Sequence, residues 1–147
     1  MISPEHIGLT VPAYTVPVEA SRLRFFAKAT GQTDPAYTDE AAAQVAGHPG
    51  LPVPPTFLFC LEMDAPDPGA LRKQMGIDIA LILHGEQRFR YHRMAFAGDR
   101  LTFEQKVTDI YSKKGGALDF MVRETRVTNQ RGEHVADLVG TTVIRNG

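Results

Sequence analysis

The chain has 147 residues, of which 43% are hydrophobic and 22% are charged, and its 16 Lys and Arg nearly balance its 17 Asp and Glu. This composition is typical of an ordinary globular protein, and we expect residues 1–147 to form a single domain. The net charge of −1 argues against a nucleic-acid partner, because proteins that bind phosphate backbones usually carry a basic excess or patch.

The apolar runs of the chain are too short to cross a membrane. The longest of them, residues 57–61 and 79–83, fall far below the roughly 18 residues that a span needs. The first residues lack the basic start and apolar core of a secretory signal, so we expect a cytoplasmic protein. The single cysteine, Cys60, excludes an internal disulfide, and its apolar neighbours predict a buried thiol.

Two helices are predicted in the first part of the chain. Apolar residues recur at helical spacing over residues 19–30, and Gly31 follows where a C-terminal cap favours positive φ. A shorter helix is predicted over residues 39–46, with Thr38 as its N-cap. Otherwise we expect loops and helices in this half, because all ten prolines lie at or before Pro68.

The next segment predicts a helix inside the protein. Residues 50–55 are rich in proline and should be stiff and extended, because each proline restricts the residue before it. Residues 56–63 are apolar almost all round, and a helix without a polar face must be wrapped by other structure.

The second half changes to a period of two, which is typical of antiparallel strands. The alternating runs cover residues 87–91, 101–108, 118–123 and 135–144, with turns predicted at 97–99, 113–116 and 129–132. Long strands twist and curve. The sequence therefore predicts an α+β domain in which one long, curved antiparallel sheet wraps around a central buried helix.

Four segments resemble the MaoC-like hot-dog dehydratases. They are residues 29–39, 53–57, 83–87 and 96–99, and the resemblance extends over residues 5–145. It is strongest to the branch that includes the dehydratase domain of type I fatty-acid synthases and mycobacterial hydroxyacyl-carrier-protein dehydratase subunits. The resemblance implies the hot-dog fold, assembly in pairs of such domains, and hydration or dehydration of acyl thioesters. It implies no cofactor beyond the coenzyme A or acyl-carrier protein that carries the substrate.

The chain departs from the family's signature at the positions that matter most. Active members carry Gly-Asp-x-Asn-Pro-x-His, whose aspartate and histidine perform general acid–base chemistry. Here Gln32 stands in the place of the aspartate, Asp34 in that of the asparagine and Tyr37 in that of the histidine. Glutamine cannot exchange protons, and a phenol, with a reference pKa of about 10, is a poor base at neutral pH.

Three explanations follow from this loss. The chain can be the substrate-holding half of a heterodimer whose hot-dog partner carries an intact Asp/His loop. It can instead form an active homodimer with a rewired set, in which Asp34, Tyr37 and His84 are the candidate catalytic residues. It can also be a catalytically silent acyl-CoA-binding or scaffolding protein, or a thioesterase that uses Asp34 or Glu86 to activate water.

Each candidate catalytic residue also has a structural interpretation. Asp34 precedes Pro35, a combination that commonly starts a turn. Tyr37 can pack its ring under the loop and hydrogen-bond through its hydroxyl. His84 should begin a strand, and it is the best titratable candidate in the second half of the chain.

Five further residues are candidates for substrate binding: Gln32, Pro55, Thr56, Phe57 and Gly85. Gln32 can donate to a thioester carbonyl or cap the preceding helix. Pro55, Thr56 and Phe57 open the buried helix, where free N–H groups can polarise a carbonyl or where proline only fixes the helix entry. The missing side chain of Gly85 lets a ligand or another backbone approach closely.

The remaining charged residues and histidines are weaker evidence for a binding site. A set of basic side chains can meet the phosphates of coenzyme A or an acidic carrier protein, or can form a solvated sheet face; they are Arg88, Arg90, Arg93, Arg100, Lys113 and Lys114. The other histidines, His6, His48, His92 and His134, look peripheral and show no metal-ligand spacing. We therefore expect no metal.

Overall fold

A computed structural model describes residues 1–146 of the chain, and Gly147, the last residue of the predicted domain, lies outside the described residues. Five strands form one antiparallel sheet in the order β1-β3-β4-β5-β2. The strands are β1 (Tyr14–Pro17), β2 (Ile82–Tyr91), β3 (Arg100–Lys113), β4 (Leu118–Thr128) and β5 (His134–Arg145). The helices are α1 (Ala20–Ala29), α2 (Glu40–Val45), α3 (Phe57–Glu62) and α4 (Ala70–Gln74), with short 3₁₀ turns at Pro4–His6, Pro35–Tyr37, Ile79–Leu81 and Lys114–Gly116.

The sheet confirms the change of period in the second half of the chain. Strands β2 to β5 are consecutive in sequence and are separated by the three predicted turns. β2 begins earlier than expected, so His84 is its third residue and does not open it. The first half also contributes a strand, contrary to our expectation of loops and helices: Tyr14 of β1 pairs with Phe103. Its proline, Pro17, is tolerated because β1 lies at the edge of the sheet.

The two predicted N-terminal helices are present. α1 ends as its sequence indicates, with Gly31 at φ +71°, a conformation that favours glycine. The predicted cap of α2 is wrong: the N-cap is Asp39, not Thr38, because the Asp39 carboxylate accepts the Ala42 N–H at 2.7 Å. A carboxylate at this position also interacts favourably with the helix dipole.

Helix α3 forms the centre of the core, as predicted. Phe57, Leu58 and Leu61 are buried in one cluster with Leu23 of α1 and Phe103 of β3. Cys60 is only half-buried, so its environment is less enclosed than expected, although burial still raises the pKa of its thiol. Within residues 1–146 no helix has the length and apolarity that crossing a membrane requires.

Candidate functional site

The loop between α1 and α2 is closed by its own side chains. The Gln32 N–H donates to the Ala27 carbonyl at 2.9 Å, which ends α1. The Gln32 side-chain oxygen then accepts the Asp34 N–H at 3.1 Å, and the Asp34 carboxylate accepts the Ala36 N–H at 2.9 Å. Both side chains are exposed. Asp34 therefore performs the turn role that its position before Pro35 indicates.

Tyr37, near the end of this loop, lines a cavity. It is half-buried and lines a space of about 350 Å³ together with Pro55, Leu58, Tyr91 and His92. Most of the remaining wall is apolar. The cavity thus combines hydrocarbon surface with two phenol hydroxyls, a combination common in small-molecule sites.

The start of α3 has an unusual backbone. Thr56, its N-cap, lies at φ +74° and ψ −16°, a left-handed conformation that is uncommon for a β-branched residue. Its N–H donates to the Tyr91 hydroxyl at 2.9 Å. Burial raises the pKa of Tyr91, and the bond from Thr56 only partly offsets this. The donor that we predicted for a substrate carbonyl is thus already bonded to a phenol.

His84 and Gly85 lie on the other side of α3. His84 is exposed, and its ring meets that of Phe59 edge-on, with 6.0 Å between the centroids. Together with Thr56, these residues line a second open cavity of about 520 Å³. The position of α3 between the two cavities follows from its place in the core.

Gly85 is required by the sheet itself. It is the extra residue of a bulge in β2, because His84 pairs with Thr142 and Glu86 with Thr141. A Cβ on Gly85 would lie 2.8 Å from a Val143 methyl carbon and 3.1 Å from the Thr141 carbonyl oxygen. The close approach that we predicted is therefore made by β5.

The structure divides the predicted site residues among separate places. Tyr37 and Pro55 share the first cavity, Thr56, His84 and Gly85 share the second, and Gln32 and Asp34 line neither of these two. Phe57 is buried in the core, where its ring packs 4.9 Å from that of Phe26. Within one chain, the three candidate catalytic residues do not form one cluster.

Residues 5–138 match the family described as the FAS1-like dehydratase domain region. The chain belongs to this family. It is 39% identical over 131 residues to a UPF0336 protein of Streptomyces coelicolor, a match that covers 88% of this chain and 85% of the relative.

Solved structures confirm the resemblance to hot-dog dehydratases. One is a C-terminally truncated HadBC (3R-hydroxyacyl-ACP dehydratase) complex from Mycobacterium tuberculosis, with a TM-score of 0.78 and 27% identity, covering 94% of this chain and 96% of that one. Another is a MaoC-like dehydratase with a TM-score of 0.80 and 26% identity, covering 95% of this chain and 42% of that one. The predicted hot-dog architecture is therefore confirmed.

Tyr91 is a candidate site residue that the sequence analysis missed. Tyr91 contacts Thr56 across 35 positions of sequence, and in the alternating pattern of β2 it was indistinguishable from a core residue. It is 48% exposed. No local pattern in the sequence indicates that Tyr91 and Thr56 are in contact.

The six basic residues that we considered as a phosphate-binding set do not form one patch. The strand register places Arg93 and Arg100 at the end of the sheet where the 129–132 turn lies, and Lys113 and Lys114 at the opposite end. Arg93 lies 3.6 Å from the Glu133 carboxylate, and the Lys113 ammonium lies over the Tyr111 ring.

Proposed function

We propose that this chain is the substrate-holding component of a hydratase/dehydratase that acts on acyl thioesters of coenzyme A or an acyl-carrier protein. The observation that carries the proposal is the loop between α1 and α2. Its two acid–base positions hold Gln32 and Tyr37, and its carboxylates, Asp34 and Asp39, each accept a backbone N–H. The loop thus lacks the aspartate–histidine pair that performs the acid–base chemistry of water addition in members with the intact signature.

The cavity below Tyr37 supports a role in holding the substrate. Its apolar wall, which includes Val53, Leu58 and Val135, suits an acyl chain. The Tyr37 hydroxyl makes no hydrogen bond within residues 1–146, so it can donate to a thioester carbonyl without first breaking a bond. Binding through one hydroxyl and an apolar wall requires no proton transfer.

The edge of the sheet supports a second hot-dog subunit as partner. β2 pairs only with β5 among the described strands, and its side chains Leu83 and Tyr91 are each about half exposed, at 49% and 48%. A long exposed edge of this kind favours pairing with another strand. The mycobacterial neighbour of 27% identity is itself described as a complex, HadBC. The partner would supply the intact Asp/His loop.

Binding and turnover should be measured on the same preparation of the chain alone. Calorimetry with crotonyl-CoA and a longer trans-2-enoyl-CoA measures binding, and loss of the enoyl absorbance measures hydration. We expect binding without turnover above background. Tyr37→Phe should weaken binding about two- to tenfold, the worth of one hydrogen bond. Tyr111→Phe, which changes a tyrosine stacked on Phe120, is the matched control and should bind as wild type does.

The other outcomes identify the alternatives. Turnover by the chain alone that Asp34→Asn or His84→Ala abolishes would overturn the proposal in favour of a rewired homodimer. Release of free coenzyme A thiol would indicate a thioesterase. Failure to bind either thioester would leave a scaffolding protein.

A further inference from the structure

Two histidines and an aspartate converge near the rim of the first cavity. His92 Nε2 lies 2.7 Å from one carboxylate oxygen of Asp137, and His134 Nε2 lies 2.7 Å from the other. The two imidazole rings are 4.2 Å apart between centroids. One potential ligand atom from each residue lies within 4.8 Å of the other two. We call these three residues the His-Asp-His cluster.

A bulge in β5 creates the cluster. His134 pairs with Thr128 and Ala136 with Val127, so Val135 is an extra residue in β5. Successive side chains of a regular strand alternate between faces, so positions 134 and 137 would point to opposite sides. With the extra residue, Val135 and Ala136 are both buried, and the two polar side chains that flank them meet on the same face.

The third residue of the cluster, His92, lies on a different segment of the chain. His92 follows β2, and its N–H donates to the Val135 carbonyl at 2.8 Å. This bond fixes the backbone of His92 against the bulge. Strand β5 and the residue that directly follows β2 therefore hold the cluster, so its geometry rests on the sheet and on a residue bonded to it.

We propose that the His-Asp-His cluster binds a divalent transition-metal ion, with Zn²⁺ as the expected occupant. Two imidazole nitrogens and a carboxylate oxygen form a ligand set that zinc commonly uses, and they leave further coordination positions for water. The side chains are partly exposed, at 34% for His92, 32% for His134 and 19% for Asp137. An ion and its water ligands therefore have access to the site.

The site is independent of the proposed acyl-thioester function but lies next to its cavity. His92 and Val135 line that cavity, so an ion held by the cluster would lie at its rim. No pattern in the sequence predicts this cluster, because His92 and His134 are far apart along the chain and two residues three apart in a regular strand point to opposite faces. Our expectation that the chain has no metal is replaced by this proposal.

The test is a Zn²⁺ titration of the intact chain after treatment with a chelator. We expect one equivalent of Zn²⁺ to bind to wild type, measured by calorimetry and by metal analysis after dialysis. His92→Ala and His134→Ala should each weaken binding at least about tenfold, because even the loss of outer-shell groups costs about 10–100-fold. His6→Ala, which removes a histidine from the N-terminal 3₁₀ turn, is the matched control and should bind as wild type does.

A second measurement distinguishes the loss of a metal ligand from misfolding of a variant. Co²⁺ held in a four- or five-coordinate protein site absorbs visible light more strongly than aqueous Co²⁺ does, so the spectrum distinguishes bound from free ion. We expect this stronger absorption in wild type and in His6→Ala, and its loss in Asp137→Asn, a nearly isosteric change. The proposal is overturned if wild type binds no Zn²⁺ at millimolar concentration. It is equally overturned if correctly folded His92→Ala and His134→Ala bind Zn²⁺ with wild-type affinity.

Discussion

The two ends of α3 are each bonded to a tyrosine hydroxyl, but their surroundings differ sharply. At the C-terminal end, the Tyr14 hydroxyl donates to the Glu62 carbonyl at 2.6 Å, and the Glu62 carboxylate, which is buried, pairs with Arg123 at 2.8 Å. At the N-terminal end, the Tyr91 hydroxyl accepts the Thr56 N–H, and both residues are exposed.

This contrast indicates a division of labour within one short helix. The Glu62 carboxylate is held by several partners, because besides the Arg123 guanidinium it accepts hydrogen bonds from Gln105 and Thr125. The polar groups around Thr56 face two open cavities. The buried end therefore fixes the position of α3, and the exposed end remains accessible to a ligand.

The largest effect should come from breaking the buried end. Glu62→Ala leaves the Arg123 guanidinium, whose side chain is 18% exposed, without its charged partner. Removing one member of a buried ion pair typically costs about 3–5 kcal/mol, and we expect a loss of that size in the free energy of unfolding, measured with urea. Glu104→Ala, at an exposed position of β3, should change it by less than about 0.5 kcal/mol.

A smaller effect should follow from Tyr14→Phe. Its hydroxyl also accepts a bond from the Gln105 amide at 3.1 Å, so the substitution removes two hydrogen bonds between partly buried groups and should cost about 1–3 kcal/mol. Burial, followed by the Glu62 charge, raises the pKa of Tyr14. As the pH rises, the Tyr14 hydroxyl therefore loses its proton at a lower pH in the unfolded chain than in the folded protein.

The pH dependence follows from that shift. A raised pKa means that the contribution of Tyr14 to stability is complete below its reference pKa of about 10 and falls as the pH rises above that value. The free energy of unfolding of wild type should therefore decrease between about pH 9 and pH 11. Tyr14→Phe should decrease less steeply, and equal slopes for the two proteins would contradict the buried environment of this hydroxyl.

Tyr91→Phe should cost less than Tyr14→Phe. It removes one hydrogen bond, but the freed Thr56 N–H is exposed and can bond to water, so we expect a loss of about 0.5–1 kcal/mol. Urea unfolding of both variants compares the two ends of α3 directly. A loss from Tyr91→Phe that equals or exceeds the loss from Tyr14→Phe would show that the exposed end is as important for stability as the buried end.

The smallest effect should be a gain. Thr56→Gly relieves a left-handed conformation that costs a non-glycine residue about 1–3 kcal/mol, and the flexibility of glycine offsets about 0.5–1 kcal/mol of this. We expect a net gain of about 0.5 kcal/mol in the free energy of unfolding. Thr38→Gly is the matched control at φ −127° and should instead lose stability.

The sequence predicts those parts of the fold that rest on local signals. The helical spacing and Gly31 located α1, and the alternation of the second half located the sheet, because each signal acts within a few residues. β1 was missed because its four residues, Tyr14–Pro17, are too few for a period and include a proline. Thr38 was mistaken for a cap because Asp39, one position later, has the same chemistry.

The site was harder to predict because it depends on contacts across the sheet. The Thr56–Tyr91 bond and the pairing of Glu62 with Arg123 join residues 35 and 61 positions apart. His134 and Asp137 lie on the same face only because of a bulge in β5. The alternation of apolar and polar residues does not predict a bulge. The loop substitutions at Gln32 and Tyr37 could be recognised in advance, because the signature that they interrupt is contiguous in sequence.

Restoring that signature tests the central claim most directly. The triple variant Gln32→Asp/Asp34→Asn/Tyr37→His places the full Gly-Asp-x-Asn-Pro-x-His sequence in the loop, and crotonyl-CoA hydration is measured beside wild type. Because a positioned acid–base group contributes about 10²–10⁴-fold, we expect turnover roughly 100-fold above the wild-type background. Wild-type turnover as fast as that of the variant would contradict the account, and so would a folded, thioester-binding variant with no turnover.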